Sequence, residues 1–148
     1  MGPLTVPSGG PAYLDANAFI YTVERMAPYH TVLDPFWRDV RASAAMVVTS
    51  ELTWLEVLVG PLKTGDVTLQ ATYRAVLDSS PDVRMRPVSR TVLERAATLR
   101  AQTGLKTPDA IHAATAIIEG CALFVTNDAA FRRIPGLNVT VLHDLLSP

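Results

Sequence analysis

The sequence predicts an α/β fold of three layers, in which helices cover both faces of a central, mostly parallel sheet. Short apolar runs that are typical of buried strands alternate with longer segments of helical periodicity from residue 12 onward. Residues that cap helices stand at the start of several of those segments. The chain has 148 residues, of which 49% are hydrophobic and 18% charged, as expected for one folded domain. We therefore expect a single domain over residues 12–148.

The first half of the chain is predicted to contain two strands and four helices. Residues 1–11 hold three prolines and three glycines, which predict a flexible tail before the domain begins. Strands are expected at 12–14 and 46–49, and helices at 18–23, 31–43, from 52 past 59, and 66–77. Ser50 is expected to cap the third of these helices with its hydroxyl.

The second half is predicted to contain three strands and two helices. The strands are expected at 83–88, 122–125 and 139–142. Ser89 is expected to open one helix, which ends at Gly104. Thr107 and Pro108 predict the start of the other, with a capping hydroxyl followed by proline at the first helical position. This last helix is expected to end at Gly120.

Composition excludes several classes of protein. Cys121 is the only cysteine, which excludes a disulfide framework or a cysteine-rich zinc site and suits a reducing cytoplasm. No apolar run approaches the roughly 18 residues that a membrane span needs. The composition therefore predicts a cytoplasmic protein without a membrane partner.

Charge is unevenly distributed, although the net charge is only −1. Residues 84–100 hold five arginines against a single acid, Glu94. Arginine suits phosphate, but a run of charge is more often the solvated face of a helix, and we favour that interpretation slightly.

Two aspartates follow predicted strands. Asp15 comes directly after the first strand, and Asp128 comes shortly after the strand at 122–125. Ligands of open α/β sheets bind beyond the carboxyl ends of the strands, where both residues are expected to lie. Either aspartate alone is explained as a turn or cap residue. With two such aspartates on one sheet, a functional role and a turn or cap role explain them equally well.

Two further acids are predicted to lie on helices. Glu56 lies beside a stripe of Leu52, Leu55 and Val59 that is expected to face the core, where a carboxylate is costly unless it is paired or binds a metal. Asp109 stands in the first turn of its helix, a place that the helix dipole alone explains. His112 follows on the same face and is interpreted as a partly buried residue that could support its neighbours.

Other chemistries have little support in the sequence. There is no nucleophile elbow around a serine and no phosphate-binding glycine loop after the first strand. Cys121 lies beside a buried strand, and Trp37 and Trp54 are interpreted as core residues. The remaining candidates are Asp15, Glu56, Asp109 and Asp128. Hard oxygen ligands of this kind favour Mg²⁺ or Mn²⁺, and with such ions they act on phosphoryl groups.

Four stretches of the chain resemble PIN domains, and in particular the VapC toxins of bacterial toxin–antitoxin pairs. They are LDAN at 14–17, LTWLEVLVGP at 52–61, TPDAIHAATA at 107–116 and TNDAAF at 126–131. The resemblance implies a PIN-like fold and a Mg²⁺-dependent ribonuclease, with Asp15, Glu56, Asp109 and Asp128 as the metal-binding acids. It also implies a homodimer and a small VapB-like antitoxin as partner. The Pro- and Gly-rich start is not part of the family pattern.

The charge distribution fits an RNA substrate, because without these four carboxylates the rest of the chain carries +3.

Three alternatives remain open. A receiver-type phosphoacceptor domain would need paired acids after the first strand and a lysine in a late strand, but Asp15 stands alone and the late strands have no lysine. A PIN-type nuclease of RNA maturation would share all four acids and differ in its partner. A non-catalytic scaffold would not cleave RNA.

Overall fold

Five short strands alternate with helices in the computed structural model, which describes residues 3–146. The strands are β1 (Ala12–Leu14), β2 (Val47–Ser50), β3 (Val83–Arg86), β4 (Leu123–Thr126) and β5 (Val139–Val141). The α-helices are α1 (Ala16–Val23), α2 (His30–Ser43), α3 (Leu52–Thr64), α4 (Val67–Asp78), α5 (Arg90–Thr103) and α6 (Thr107–Ile118). Short 3₁₀ helices follow at Ala129–Arg133 and Leu142–Leu145. The predicted three-layer α/β/α fold is confirmed.

The sheet is parallel throughout and has the order β3-β2-β1-β4-β5. The chain builds outward from β1 to one side, then returns to pair β4 with the free side of β1, where Leu14 stands opposite Val125. The strand order therefore reverses beside β1. In open α/β sheets this switch point, at the carboxyl ends of the strands, is where a ligand crevice forms.

Side chains of the strands alternate between two hydrophobic clusters, one on each face of the sheet. Leu14 of β1 packs with Phe19, Phe36 and other residues of α1–α4. Tyr13 points to the opposite face and packs with residues of α5 and α6. Because neighbours along a strand face opposite sides, a strand that is buried on both faces must be apolar at nearly every position.

Most helix ends follow the predicted signals. The Ser89 hydroxyl accepts from the Val92 amide at 3.2 Å, and α5 ends at Gly104, whose φ of 72° lies in the left-handed region that favours glycine. Two starts differ. Ser50 is not the cap of α3, which Glu51 precedes, although the Ser50 hydroxyl accepts from the Leu52 amide at 3.0 Å. Thr107 is the first residue of α6 and not its cap. Lys106 precedes the helix there and makes no side-chain capping bond.

The prediction that the apolar stripe of α3 faces the core was wrong. Leu55 and Val59 are 59% and 42% exposed, whereas the buried face of the helix carries Thr53, Val57 and Leu58. The helix is apolar on two sides, so the spacing of hydrophobic residues could not tell which side faces the core.

The N-terminal segment also differs in part from the predicted flexible tail. Leu4 is buried in the core, and Val6 packs against it. Met1 and Gly2 lie outside the described residues. Among residues 3–146, no helix is long and apolar enough to cross a membrane.

Candidate functional site

A cavity of about 380 Å³ opens beside the carboxyl end of β1 and is lined by residues of α1, α3 and α6. Its lining combines three acids, one imidazole, one amide and several apolar side chains. The lining residues are Asp15, Ala16, Asn17, Ile20, Leu55, Glu56, Val59, Asp109 and His112. The structure thus places three of the four predicted site acids, which lie far apart in the sequence, in one cavity.

Asp15 is held in place through both of its carboxylate oxygens. It follows β1 directly and caps α1, since Oδ1 accepts from the Ala18 amide at 3.3 Å. Oδ2 accepts from the Thr126 hydroxyl at 2.5 Å. Burial raises the pKa of Asp15 above its usual value, and the bond from Thr126 offsets part of that rise. The carboxylate is therefore fixed in position but poorly compensated in charge.

Glu56 is fixed by a histidine. Its Oε1 lies 2.6 Å from Nε2 of His112, whose Nδ1 lies 2.6 Å from the Tyr13 hydroxyl. The Glu56 side chain is 29% exposed, whereas His112 and Tyr13 are buried. This connection joins α3 to α6 and β1. His112 is thus more buried than the sequence predicts, and it contacts Glu56.

Asp109 stands in the first turn of α6 and is half-buried. Burial raises the pKa of its carboxyl group, and the nearby charge of Asp128 raises it further. Asp128 is exposed and is not among the residues that line the cavity; its Oδ1 accepts from the Ala130 amide at 2.9 Å. It therefore acts on Asp109 through its charge from outside the cavity.

The oxygen atoms of this site suit a hard divalent cation. Burial raises the pKa of both Asp15 and Asp109, so these carboxylates lack a compensating positive charge, which a cation would supply. Within residues 3–146, however, no three acid, histidine or cysteine side chains stand close enough together to hold a metal ion as they lie. Binding of a cation therefore requires the carboxylates to converge further.

Sequence reasoning missed Thr126 and Asn17 as site residues. Thr126 is buried and also accepts from the Asp128 amide at 3.1 Å, so it connects Asp15 to the turn that carries Asp128. Its place at the end of β4 was a usable signal, since hydroxyls at strand ends meet the same crevice. Asn17 lines the cavity from the first turn of α1.

Other features of the chain lie away from this cavity. A cavity of about 430 Å³ lies near Arg25, Asp34 and Trp37, but its Asp34 already pairs with Arg25 through bonds of 2.7 and 2.8 Å. Burial raises the pKa of Cys121 to about 12, so its thiol is inert. The prediction that Trp37 is a core residue is confirmed.

The arginine-rich stretch does not line the acidic cavity. Arg86 lies 3.1 Å from Glu119, and Arg100 donates to the Leu105 carbonyl at 2.8 Å. Arg84, Arg90 and Arg95 are exposed, which agrees with the solvated faces that the sequence favours.

Comparisons with known proteins point to one family. The family model of the PIN domain matches residues 12–137. None of the curated proteins matches the chain significantly in sequence. Among solved structures, a toxin–antitoxin complex from Klebsiella pneumoniae is 26% identical with a TM-score of 0.66, over 88% of this chain and 97% of that one.

Two more distant structures share the fold. The DNA-bound VapBC of Salmonella typhimurium is 18% identical with a TM-score of 0.72, over 90% of this chain and 98% of that one. FitAcB of Neisseria gonorrhoeae is 22% identical with a TM-score of 0.67, over 90% and 99% of the two chains.

Proposed function

The chain belongs to the PIN-domain family, and on that premise we propose that it is a metal-dependent endoribonuclease and the toxin of a toxin–antitoxin pair. One observation carries the proposal: Asp15, Glu56 and Asp109, from three separate elements, line a single cavity at the switch point of the sheet. The similarity to toxin–antitoxin complexes supports the biological role.

Asp15, Glu56 and Asp109 would hold Mg²⁺, or Mn²⁺ in its place, with Asp128 nearby. When bound, the cation would supply Lewis-acid activation of a phosphodiester and of the attacking water. The protein's own contribution is to orient two of these carboxylates before the cation arrives. Thr126 and the Ala18 amide fix Asp15, and His112 fixes Glu56. The remaining movement would then be the closer approach of Asp109 and the two oriented carboxylates when the cation binds.

The test is cleavage of structured RNA by the purified protein. We expect cleavage with Mg²⁺ or Mn²⁺, none with a chelator, and none for Asp109→Asn. The matched control is Asp39→Asn, an exposed aspartate of α2 outside the cavity, which should cleave like the wild type. Undiminished cleavage in chelator, or by Asp109→Asn, would contradict the metal-dependent mechanism.

An antitoxin would have to cover an acidic cavity and its apolar rim. Leu55 and Val59 line that rim and are exposed, and Leu62 continues the apolar surface along α3 at 55% exposure. We therefore expect the partner to present a basic residue flanked by hydrophobic ones. The family resemblance also implies a homodimer, which is tested by measuring the mass of the protein in solution. It further implies that the protein acts on RNA in the cytoplasm.

Expression in the native host separates the toxin from a nuclease of RNA maturation. The toxin should arrest growth, and co-expression of a small neighbouring gene should relieve the arrest. Harmless expression, with no neighbouring product that binds, would favour the maturation nuclease, which shares the same acids. Cleavage of RNA in either case excludes the non-catalytic scaffold.

A further inference from the structure

Tyr13 and His112 form a buried polar pair beneath the cavity. Tyr13 is fully buried in β1 and stacks on Phe124 with ring centroids 5.0 Å apart. His112 of α6 is 2% exposed and meets Tyr13 edge-on at 5.8 Å. Buried polar side chains are costly unless they are hydrogen-bonded, and here both find partners in a single connected chain.

The direction of each hydrogen bond follows from the donors and acceptors present. The Ser50 amide donates to the Tyr13 hydroxyl oxygen at 3.1 Å. The nearby Thr49 hydroxyl donates its proton to the Leu14 carbonyl at 2.8 Å. The Tyr13 hydroxyl also lies 2.6 Å from Nδ1 of His112. We therefore assign the phenolic proton to the bond with Nδ1, which makes Nδ1 the unprotonated nitrogen of the ring.

This direction determines what His112 offers to Glu56. With Nδ1 as acceptor, the neutral ring carries its proton on Nε2, which donates to Glu56 Oε1 at 2.6 Å. The structure gives the other oxygen, Oε2, no hydrogen bond within the described part of the chain. One carboxylate oxygen is thus tied to α6, while the other stays available to the cavity that Glu56 lines.

We propose that Tyr13 and His112 are positioning residues for Glu56: the buried Tyr13 hydroxyl selects the Nε2-protonated form of His112, which in turn holds Glu56 in place for a divalent cation. The inference rests on the proposed function, because it takes Glu56 as a ligand. It assigns to the buried pair a role in metal affinity, in addition to the packing that its burial already provides. Groups that orient a ligand in this way typically change metal affinity about 10–100-fold when they are removed.

The first experiment observes the ring directly. The sequence has three histidines, so a His30→Gln, His143→Gln double variant leaves His112 as the only one. Long-range ¹H–¹⁵N correlation spectra of this metal-free protein at neutral pH should show a protonated Nε2 and an unprotonated Nδ1. A ring protonated on Nδ1, or on both nitrogens, overturns the inference whatever the protein does to RNA.

The second experiment measures the affinity for Mn²⁺ by titration and by the electron paramagnetic resonance signal of the free ion. We expect His112→Leu to weaken binding about 10–100-fold and His112→Gln, whose amide can still donate to Glu56, to recover part of it. Tyr13→Phe should weaken binding by less than His112→Leu. The matched control is Tyr73→Phe, which removes the hydroxyl of another buried tyrosine that donates to a glutamate, Glu24, away from the cavity.

The outcomes separate this inference from the proposed function. Wild-type protein that binds no Mn²⁺ contradicts the proposed function and, with it, the role of the pair in metal affinity. Wild-type binding that is unchanged in folded Tyr13→Phe overturns the inference alone. If His112→Leu does not fold, the inference is still tested by three measurements. These are the Mn²⁺ affinities of Tyr13→Phe and His112→Gln and the spectra of the His112 ring.

Discussion

Asp109 is the acid of the cavity with the least local support. Its carboxylate makes no hydrogen bond within residues 3–146, while burial and the charge of Asp128 raise its pKa. A folded-state pKa above the unfolded value means that the folded protein binds this proton more tightly. The protonated Asp109 side chain therefore contributes its full stability at a pH below the unfolded-state pKa. This contribution is lost as the pH rises through the higher folded-state pKa.

We expect Asp109→Asn to make the metal-free protein as stable as the wild type or more stable at neutral pH. Asparagine keeps the shape and removes the charge. The advantage should disappear as the pH falls to about 4, near the ordinary pKa of aspartate. Chemical denaturation across this range measures it. A loss of about 1 kcal/mol at neutral pH would instead identify Asp109 as a structural helix-terminus residue.

At the level of single residues, sequence position predicted Asp15 well because it follows a strand directly, and strand ends converge. Glu56 was placed in the site on a wrong argument, since the stripe beside it faces outward at Leu55 and Val59. The hydrogen-bond partners of Thr126 and Tyr13 could not be predicted, because a hydroxyl within an apolar strand finds its partner only through long-range packing. Thr126 bonds to a residue 111 positions away.

At the level of elements, α5 and α6 begin in different ways. The Ser89 hydroxyl caps α5, whereas Thr107 lies inside α6 and its side chain makes no capping bond. We expect Ser89→Ala to lower the free energy of unfolding by about 1 kcal/mol and Thr107→Ala to change it by less than about 0.5 kcal/mol. Thermal denaturation of the two variants checks this. Equal losses would restore Thr107 as a cap.

The exposed apolar side of α3 predicts a separation of stability from binding. Replacing Leu55 and Val59 with serine should change the free energy of unfolding by less than about 0.5 kcal/mol per site, because both side chains are exposed. Affinity for the antitoxin should fall by more than about 1 kcal/mol, as for residues at the centre of an interface. Titration calorimetry with the co-expressed partner measures the affinity.

The control for this variant is Val67→Ser on α4, where the valine is 73% exposed and does not line the cavity. Its affinity for the antitoxin should match that of the wild type. Unchanged affinity in the Leu55 and Val59 variant would place the antitoxin interface elsewhere.

Element types and their order could be predicted because hydrophobic period, capping serines and terminal glycines are local signals. Boundaries moved by one or two residues, as at β2 and β4, where strand ends depend on the neighbouring strand. The strand order could not be read from these signals. It depends on β4 pairing with β1 across more than a hundred residues of sequence.

At the level of the whole molecule, cation binding should stabilise the fold. A cation that binds only the folded state contributes about 2.7 kcal/mol when its concentration is one hundred times its Kd. For a domain of this size that corresponds to a rise in Tm of roughly 5–10 °C. A Mg²⁺ series should show this rise for the wild type and Asp39→Asn but not for Asp109→Asn. A rise retained in Asp109→Asn would place the cation elsewhere.

The order of the sheet leaves β3 at an edge, with β2 as its only strand neighbour within the described residues. Edge strands expose unpaired amides and carbonyls on which another chain can add a strand. This four-residue strand carries Arg84 and Arg86, of which Arg84 is exposed. Two copies brought together along β3 would oppose the charges of Arg84, whereas Arg86 already pairs with Glu119. We therefore expect Arg84 to disfavour edge-to-edge pairing of two copies, a hazard that grows with the concentration of the protein in the cell.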